Sequence, residues 1–427
     1  MPHADVTLRH SSDEALAAYA EELAEEIART ARFYDDAGDF PSEHFDLLRD
    51  RGALKLTIPK ELGGRGLSLY EFLLFQERLA QGSASTALSL GWHLMAFAYL
   101  GFDLHWPRPA FEKLCHDVVR DGDLVNILIT ERDAGNLLRG GPASTTARRA
   151  AQGYVINGRK AFCSAAPALK QMIVYAWVEE EGRMAEFLVP RSDRVRVIRN
   201  WNSLGMRSTG SDDIEFDEVL VPHEARLSDV VKGQPSSFTT GSRVFGLQVA
   251  AVYLGIAVSA RNFILDFADR QHSASLGGSI LEAPQVQQKI GEIELLLASS
   301  KTQLYGLAAH WERHDALKHR LHNEVWATKH AVTNNAVRVV ELAMGIAGGH
   351  GLSRDLPLER HFRDVLCGLH NPPQNDMVIS TLAQSAIQAQ RERREAGHSP
   401  RPAASTARST PIPEVSRPAR EAEAAAH

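Results

Sequence analysis

The stretch Asn202–Pro222, NSLGMRSTGSDDIEFDEVLVP, decides how the rest of the chain is read. Gly205 and Gly210 bracket a polar loop, and Ile214 and Phe216 then alternate with Asp213, Glu215 and Asp217. Successive side chains of a strand point to opposite faces, so this alternation marks a half-buried strand. Pro222, which has no N–H to give to a ladder, closes it. The pattern alone fits the edge of any β domain equally well, and the flanking sequence has to supply its setting.

Outward from this stretch the texture changes twice. From Leu124 to about Leu227 short apolar runs are separated by turns, with strands expected at Leu124–Thr130, Thr145–Phe162, Met172–Val178, Ala185–Val189 and Val195–Ile198. Gly153 marks a turn, and Asn157-Gly158 is the dipeptide of a tight hairpin. Several strands without intervening helices predict a small antiparallel sandwich or barrel. Before it, Ser12 to about Asp121 has helical spacing broken at Gly38, Pro59, Gly63-Gly64 and Pro107. After it, helical patterns run over Phe245–Gln271, Pro284–Arg313, His322–Met344 and Asp376 to about Arg394, which predicts a four-helix bundle. The expected fold is therefore α+β and multidomain: a helical domain over 1–123, a β domain over 124–232 and a bundle over 233–394. Residues 395–427, rich in Pro, Ala, Ser and charge, are expected to be a disordered tail.

Composition narrows the function. A chain of 427 residues, 44% hydrophobic and 23% charged, can build more than one core. A net charge of −6 with no dominant basic stripe argues against a nucleic-acid partner. Cys115, Cys163 and Cys367 are far apart and form no CxxC pair, which suggests neither a disulfide framework nor a zinc site and is consistent with a reducing cytoplasm. The apolar run Ala87–Phe102 is short for a bilayer span and is interrupted by Gly91 and His93, so no membrane segment is expected. His310 and His314 lie one helical turn apart, but the order is not His-Glu-x-x-His and no metal is expected.

The Asn202–Pro222 stretch resembles the middle-domain signature of the acyl-CoA dehydrogenase superfamily of flavoproteins, and other segments fall in that family's order. Thr57–Leu88 resembles part of its first domain, although the favoured reading of Gly63, Gly64 and Gly66 is a purely structural turn. Ile127–Asn136, ILITERDAGN, resembles the Thr-Glu-Pro-x-Ala-Gly-Ser-Asp flavin loop: Thr130, Glu131, Ala134 and Gly135 match, Arg132 replaces Pro, and Asn136-Leu137 replaces Ser-Asp. The resemblance implies that Leu128, Thr130, Gly135 and Asn136 border a flavin, whose pyrimidine edge and N5 need backbone and hydroxyl donors because they gain electron density on reduction. Asn157–Ala165, NGRKAFCSA, resembles the segment that places an aromatic residue and a hydroxyl beside that ring, here Phe162 and Ser164 with Cys163 between them. Nothing adjacent would activate Cys163, so it reads as a packed thiol. Arg270 matches a family Arg that reaches a neighbouring subunit's cofactor, without the usual Phe-Gly after it, and Gly348-Gly349-His350-Gly351 matches the turn under the adenosine half of FAD. The resemblance thus implies FAD, with FMN as the alternative, and a homotetramer.

The same resemblance exposes a missing residue. Most dehydrogenases of the family carry a Glu base shortly after the Arg-Asp that here is Arg363-Asp364, and this chain reads CGLHNPPQND over 367–376. Other members place the base on the first bundle helix, where Phe245 stands here. His370 is the nearest titratable group and the candidate catalytic residue; Asp376 is the nearest carboxylate downstream. His370-Asn371-Pro372 looks like the His-x-Pro of the related reduced-flavin monooxygenases. Three readings are open: α,β-dehydrogenation of an acyl-CoA or similar thioester with an electron-transfer partner, oxygenation of a small organosulfur, aromatic or amine substrate with a separate flavin reductase, or an inactive scaffold of the same fold. The first is the expectation that the family as a whole supports.

Overall fold

The computed structural model describes residues 7–102, 106–133, 143–230, 237–275, 277–314 and 320–398. The chain begins with helices α1 (Ser11–Ala37), α2 (Ser42–Asp50), α3 (Leu69–Gly82), α4 (Ala84–Phe102) and α5 (Arg108–Asp121). α3 starts at a capping box in which Ser68 and Glu71 each accept from the other's backbone N–H, satisfying two otherwise orphaned donors. α4, apolar almost all round, is a core helix, as such a pattern demands in water.

Eight strands follow: β1 (Leu124–Leu128), β2 (Thr146–Ala150), β3 (Gly153–Cys163), β4 (Leu169–Val178), β5 (Arg183–Pro190), β6 (Val195–Ile198), β7 (Asp212–Pro222) and β8 (Arg226–Val230). They form one sheet in the order β6-β7-β3-β2-β4-β5-β8, with β1 also paired to β4. Two features depart from the sequence expectation. The sheet is mixed: β1 pairs in parallel with the first half of β4, from Leu169 to Val174, and β2 in parallel with its end, Trp177–Val178. β1 and β2 therefore lie end to end along one edge of β4. Asn157-Gly158 is not a hairpin turn; it sits inside β3 at a register shift against β7, and the β2–β3 reversal is the Ala151-Gln152 turn just before Gly153. Gly158 has φ 134°, and a Cβ on it would come within 2.6 Å of Thr145 Cα, so backbone conformation and close approach inside the strand both require glycine there.

The chain then returns to helix with α6 (Ser237–Arg270), α7 (Pro284–Arg313), α8 (His322–Ala347), α9 (Leu358–His370) and α10 (Asn375–His398). The Gly246–Arg270 part of α6 is long and apolar enough to cross a membrane, but 78% of its most apolar window is buried inside the protein against α3, α4, α8 and α9. Sequence periodicity passed over α9. Only thirteen residues long, it packs on both α6 and α8 and takes the bundle position expected of the last helix. A first compact unit ends at Ile379. The second, Ser380–His427, is described only to His398, where it is helical; the expected disordered tail lies almost wholly outside the described residues.

Candidate functional site

The residues that resembled a flavin wall converge where β1 and β3 end. Thr130 O accepts from Ala161 N at 2.8 Å, and Asn126 of β1 donates its side-chain amide to Ser164 O at 3.0 Å. β3 bulges between Lys160 and Cys163, and both Phe162 (φ 57°) and Ala165 (φ 60°) adopt the left-handed backbone that non-glycine residues rarely enter. The bend turns Phe162 outward, 52% exposed, edge-on to Trp201 at 6.1 Å between ring centroids. Cys163 is buried and its thiol pKa pushed up by burial, which leaves only its backbone for a ligand. Leu128 is likewise buried in the core. Gly135 and Asn136 lie outside the described residues.

Arg132, the departure from the resembled loop, has a partner that explains it. It donates from Nε and Nη2 to the two oxygens of Asp213 at 2.8 and 3.0 Å, and its guanidinium lies 5.5 Å from the Phe162 ring centroid. Asp213 is fully buried and also binds Arg159, so the opening stretch grips the ring-side loop directly.

Beneath that loop sits Glu131. Its carboxylate accepts from Ser144 N at 2.6 Å, Ser144 Oγ at 2.7 Å and Thr145 N at 3.0 Å, and from Lys160 Nζ at 2.6 Å. Both members of the ion pair are fully buried. Burial opposes the charge of Glu131, but the Lys160 ammonium and the Ser144 donors hold its pKa down at about 2. Glu131 stands just after β1, and Ser144 and Thr145 just before β2.

Three hydroxyls line up behind Ser164. Its Oγ lies 2.9 Å from Ser211 Oγ, which lies 2.7 Å from Thr209 Oγ1, and Thr209 Oγ1 donates to Met206 O at 3.1 Å. All three hydroxyl residues are buried.

The same Asn202–Pro222 stretch is fastened to α9. A Cβ on Gly205 would lie 2.1 Å from Arg363 O, so only glycine permits the approach. Met206 N donates to Asp364 Oδ1 at 2.5 Å, and Arg363 binds Asp35, Glu359 and Leu204 O. Burial, with Asp35 close by, pushes the Asp364 pKa up to about 6. Asp364 borders a small cleft with Asp35, Arg360, His361 and the serines that open α4.

α9 ends at His370, which is exposed. The loop after it is held from below. Lys329 of α8, fully buried, donates to Gly368 O and Pro373 O, each at 2.8 Å, and Asn371 Nδ2 donates to Tyr253 OH of α6 at 2.7 Å. With no carboxylate beside it, Lys329 has its pKa lowered to about 8 by burial. Asp376, at the start of α10, is exposed.

Arg270 is exposed at the C-terminal end of α6. One turn earlier Phe267 meets His350 at 5.7 Å between ring centroids, which brings the Gly348-Gly349 turn to the same end. No hydrogen bond or ring contact among the described residues joins this end to Thr130, Phe162 or Ser164. Among the described residues there is also no cluster of three or more His, Cys, Asp or Glu that would suit a metal ion. Sequence reasoning missed Lys329, Tyr253, Arg132 with Asp213, and the hydroxyl chain. Thr209 and Ser211 stood in the quoted stretch, but their alignment with Ser164 needs the β3–β7 pairing.

Family models match three segments in order: acyl-CoA dehydrogenase, N-terminal domain over 11–102, middle domain over 126–219 and C-terminal domain over 247–371. A putative acyl-CoA dehydrogenase of Bacillus subtilis (strain 168) is 39% identical, over 86% of this chain and 95% of its own length. An amino sugar nitrososynthase of Streptomyces peucetius is 30% identical over 81% of this chain and 86% of its own. Among solved structures, FMN-bound TdsC from Paenibacillus sp. A11-2, a dibenzothiophene monooxygenase, superposes with a TM-score of 0.75 at 27% identity, covering 84% of this chain and 94% of the other.

Proposed function

Since the chain belongs to the acyl-CoA dehydrogenase family, we propose that it is a flavin-dependent oxidoreductase, and within that class a monooxygenase that receives reduced flavin, FMN, from a separate reductase. Its substrate is a small nitrogen- or sulfur-bearing molecule, by analogy with the nitrososynthase and TdsC relatives. The observation that carries this reading is the loop after α9. Dehydrogenation of an acyl thioester needs a base within hydrogen-bond reach of the α proton, the task of a Glu in most dehydrogenases of the family. Residues 367–375 contain no carboxylate, and Lys329 and Tyr253 hold this loop through Gly368 O, Pro373 O and the Asn371 amide. Asp364 stands six residues before His370, about 9 Å back along the helix axis, and its carboxylate is committed to Met206 N–H.

The residues at the end of β3 fit a planar cofactor. Phe162, held outward by strained backbone, forms with Trp201 and Arg132 an aromatic and cationic shelf beside the Ser164 hydroxyl. Reduced flavin, when bound, supplies two electrons for activating dioxygen, one atom of which enters the substrate while the other leaves as water. Thr130 and Ser164 orient the ring, Arg132 covers Phe162, and His370 exchanges a proton with the substrate. Exposure of Arg270 and the Gly348-Gly349 turn supports a homotetramer in which they meet a neighbour's cofactor.

The second reading, dehydrogenation of an acyl-CoA with FAD and an electron-transfer partner, is favoured by the relative at 39% identity. One pair of anaerobic experiments separates them. Oxidised flavin-loaded protein mixed with acyl-CoAs of several chain lengths should keep its visible absorbance, and protein with reduced FMN should oxygenate small sulfides or amines once oxygen is admitted. Bleaching by an acyl-CoA would overturn the monooxygenase reading, and protein that binds no flavin would leave the scaffold.

A further inference from the structure

The hydroxyl chain behind Ser164 has a direction. Met206 O, a carbonyl, can only accept, so the 3.1 Å contact requires the Thr209 proton. Thr209 has no other proton to give, so the 2.7 Å contact requires Ser211 to donate to Thr209. Ser211 is then committed too, and the 2.9 Å contact requires Ser164 to donate to Ser211. This order satisfies all three contacts. The reverse order, Thr209 to Ser211 to Ser164, leaves the Met206 contact without a proton and makes one hydrogen bond fewer. In the favoured order the Ser164 proton points inward and its lone pairs face outward.

Resting on the flavin reading above, we infer that Ser164 acts as a hydrogen-bond acceptor toward the cofactor and biases the site to flavin in its reduced form. Reduced flavin carries a hydrogen on N5, which an outward lone pair can accept. Oxidised flavin has a lone pair there, which meets a second lone pair unless the whole chain reverses and gives up the Met206 bond. The bias is one neutral hydrogen bond, about fivefold in relative affinity. Such a bias suits an enzyme that must capture reduced flavin from another protein and release it oxidised.

The test compares dissociation constants of the full chain for oxidised and for anaerobically reduced FMN, measured by fluorescence and absorbance. Two substitutions release the Ser164 proton by different routes. Ser211→Ala removes the group that receives it. Thr209→Val removes the acceptor of Ser211, which must then donate to Ser164. Each should move the ratio of the two constants about fivefold toward oxidised flavin, lowering the potential of the bound cofactor by about 20 mV at 30 mV per tenfold for two electrons. If one variant does not fold, the other decides. A folded, flavin-binding variant whose ratio stays within about twofold of the unaltered protein, below one hydrogen bond's worth, overturns the ordered chain while leaving the flavin reading intact. An unaltered protein that binds neither form overturns the flavin reading, and this inference with it.

Discussion

Replacing Glu131 by Gln should detach the end of β1 from the start of β2. The carboxylate takes three donors from Ser144 and Thr145 and one from Lys160. Glutamine keeps one acceptor oxygen and brings an NH2 that must face a donor, while the fully buried Lys160 ammonium loses its counter-charge. The Lys160 ammonium and the Ser144 donors hold the Glu131 pKa down at about 2 against its burial, while burial pulls the Lys160 pKa down. Removing one partner of a buried pair typically costs about 3–5 kcal/mol. Because the folded pKa is depressed, this stabilisation is fully present above about pH 4.5 and is lost as pH falls toward 2. Hydrogen exchange at neutral pH reads the effect locally: amides at Ser144 and Thr145 should exchange about a hundredfold faster in Glu131→Gln. Adding Lys160→Met removes the stranded charge and should recover most of the loss. Unchanged exchange in the single variant, or a double variant no better than the single, would refute the reasoning.

Other perturbations have defined outcomes. Lys329 has its folded pKa lowered from 10.5 to about 8, so the unfolded chain binds more protons between those values and the stability of the protein relative to Lys329→Met should rise across pH 8 to 10.5, as followed by urea denaturation. A flat difference over that range would contradict a buried, unpaired ammonium. Gly205→Ala drives a methyl into Arg363 O and should destabilise by at least about 2 kcal/mol; wild-type thermal stability would show that the loop does not rest on α9. Phe162→Gly relieves the left-handed backbone but loses the contacts with Trp201 and Arg132, so stability should change by less than about 1 kcal/mol while flavin binding weakens, measured by calorimetry and titration. Tighter binding would remove Phe162 from the shelf.

What the sequence disclosed and what it withheld divides along range. The Phe216 alternation, the turn beside Gly153 and the long apolar faces of α6, α7 and α8 are local signals, and each produced the element expected of it. Parallel pairing of β1 and β2 with β4 is set by partners some 30 to 45 residues away along the numbering, which no local period reports. Asn157-Gly158 misled because the signal for a tight turn and the signal for close strand contact are the same glycine. α9 escaped because thirteen residues hold few periods, although its amphipathic face is strong. At the site, Phe162, Ser164 and Arg363-Asp364 were visible through resemblance. Lys329 was not: a lysine in a helix is ordinarily solvated, and only the fold reveals that this one is buried under two carbonyls.

The end-to-end arrangement of β1 and β2 along β4 also bears on the length of chain that can join them. Glu131 ties the end of β1 to the start of β2 through Ser144 and Thr145, and each strand has its own register on β4. Doubling the length of the chain between them would add only about 0.6 kcal/mol of closure entropy. The alignment of the two strands is thus set on β4 and at the Glu131 tie, so a change in the length of the chain joining them costs little beyond that entropy.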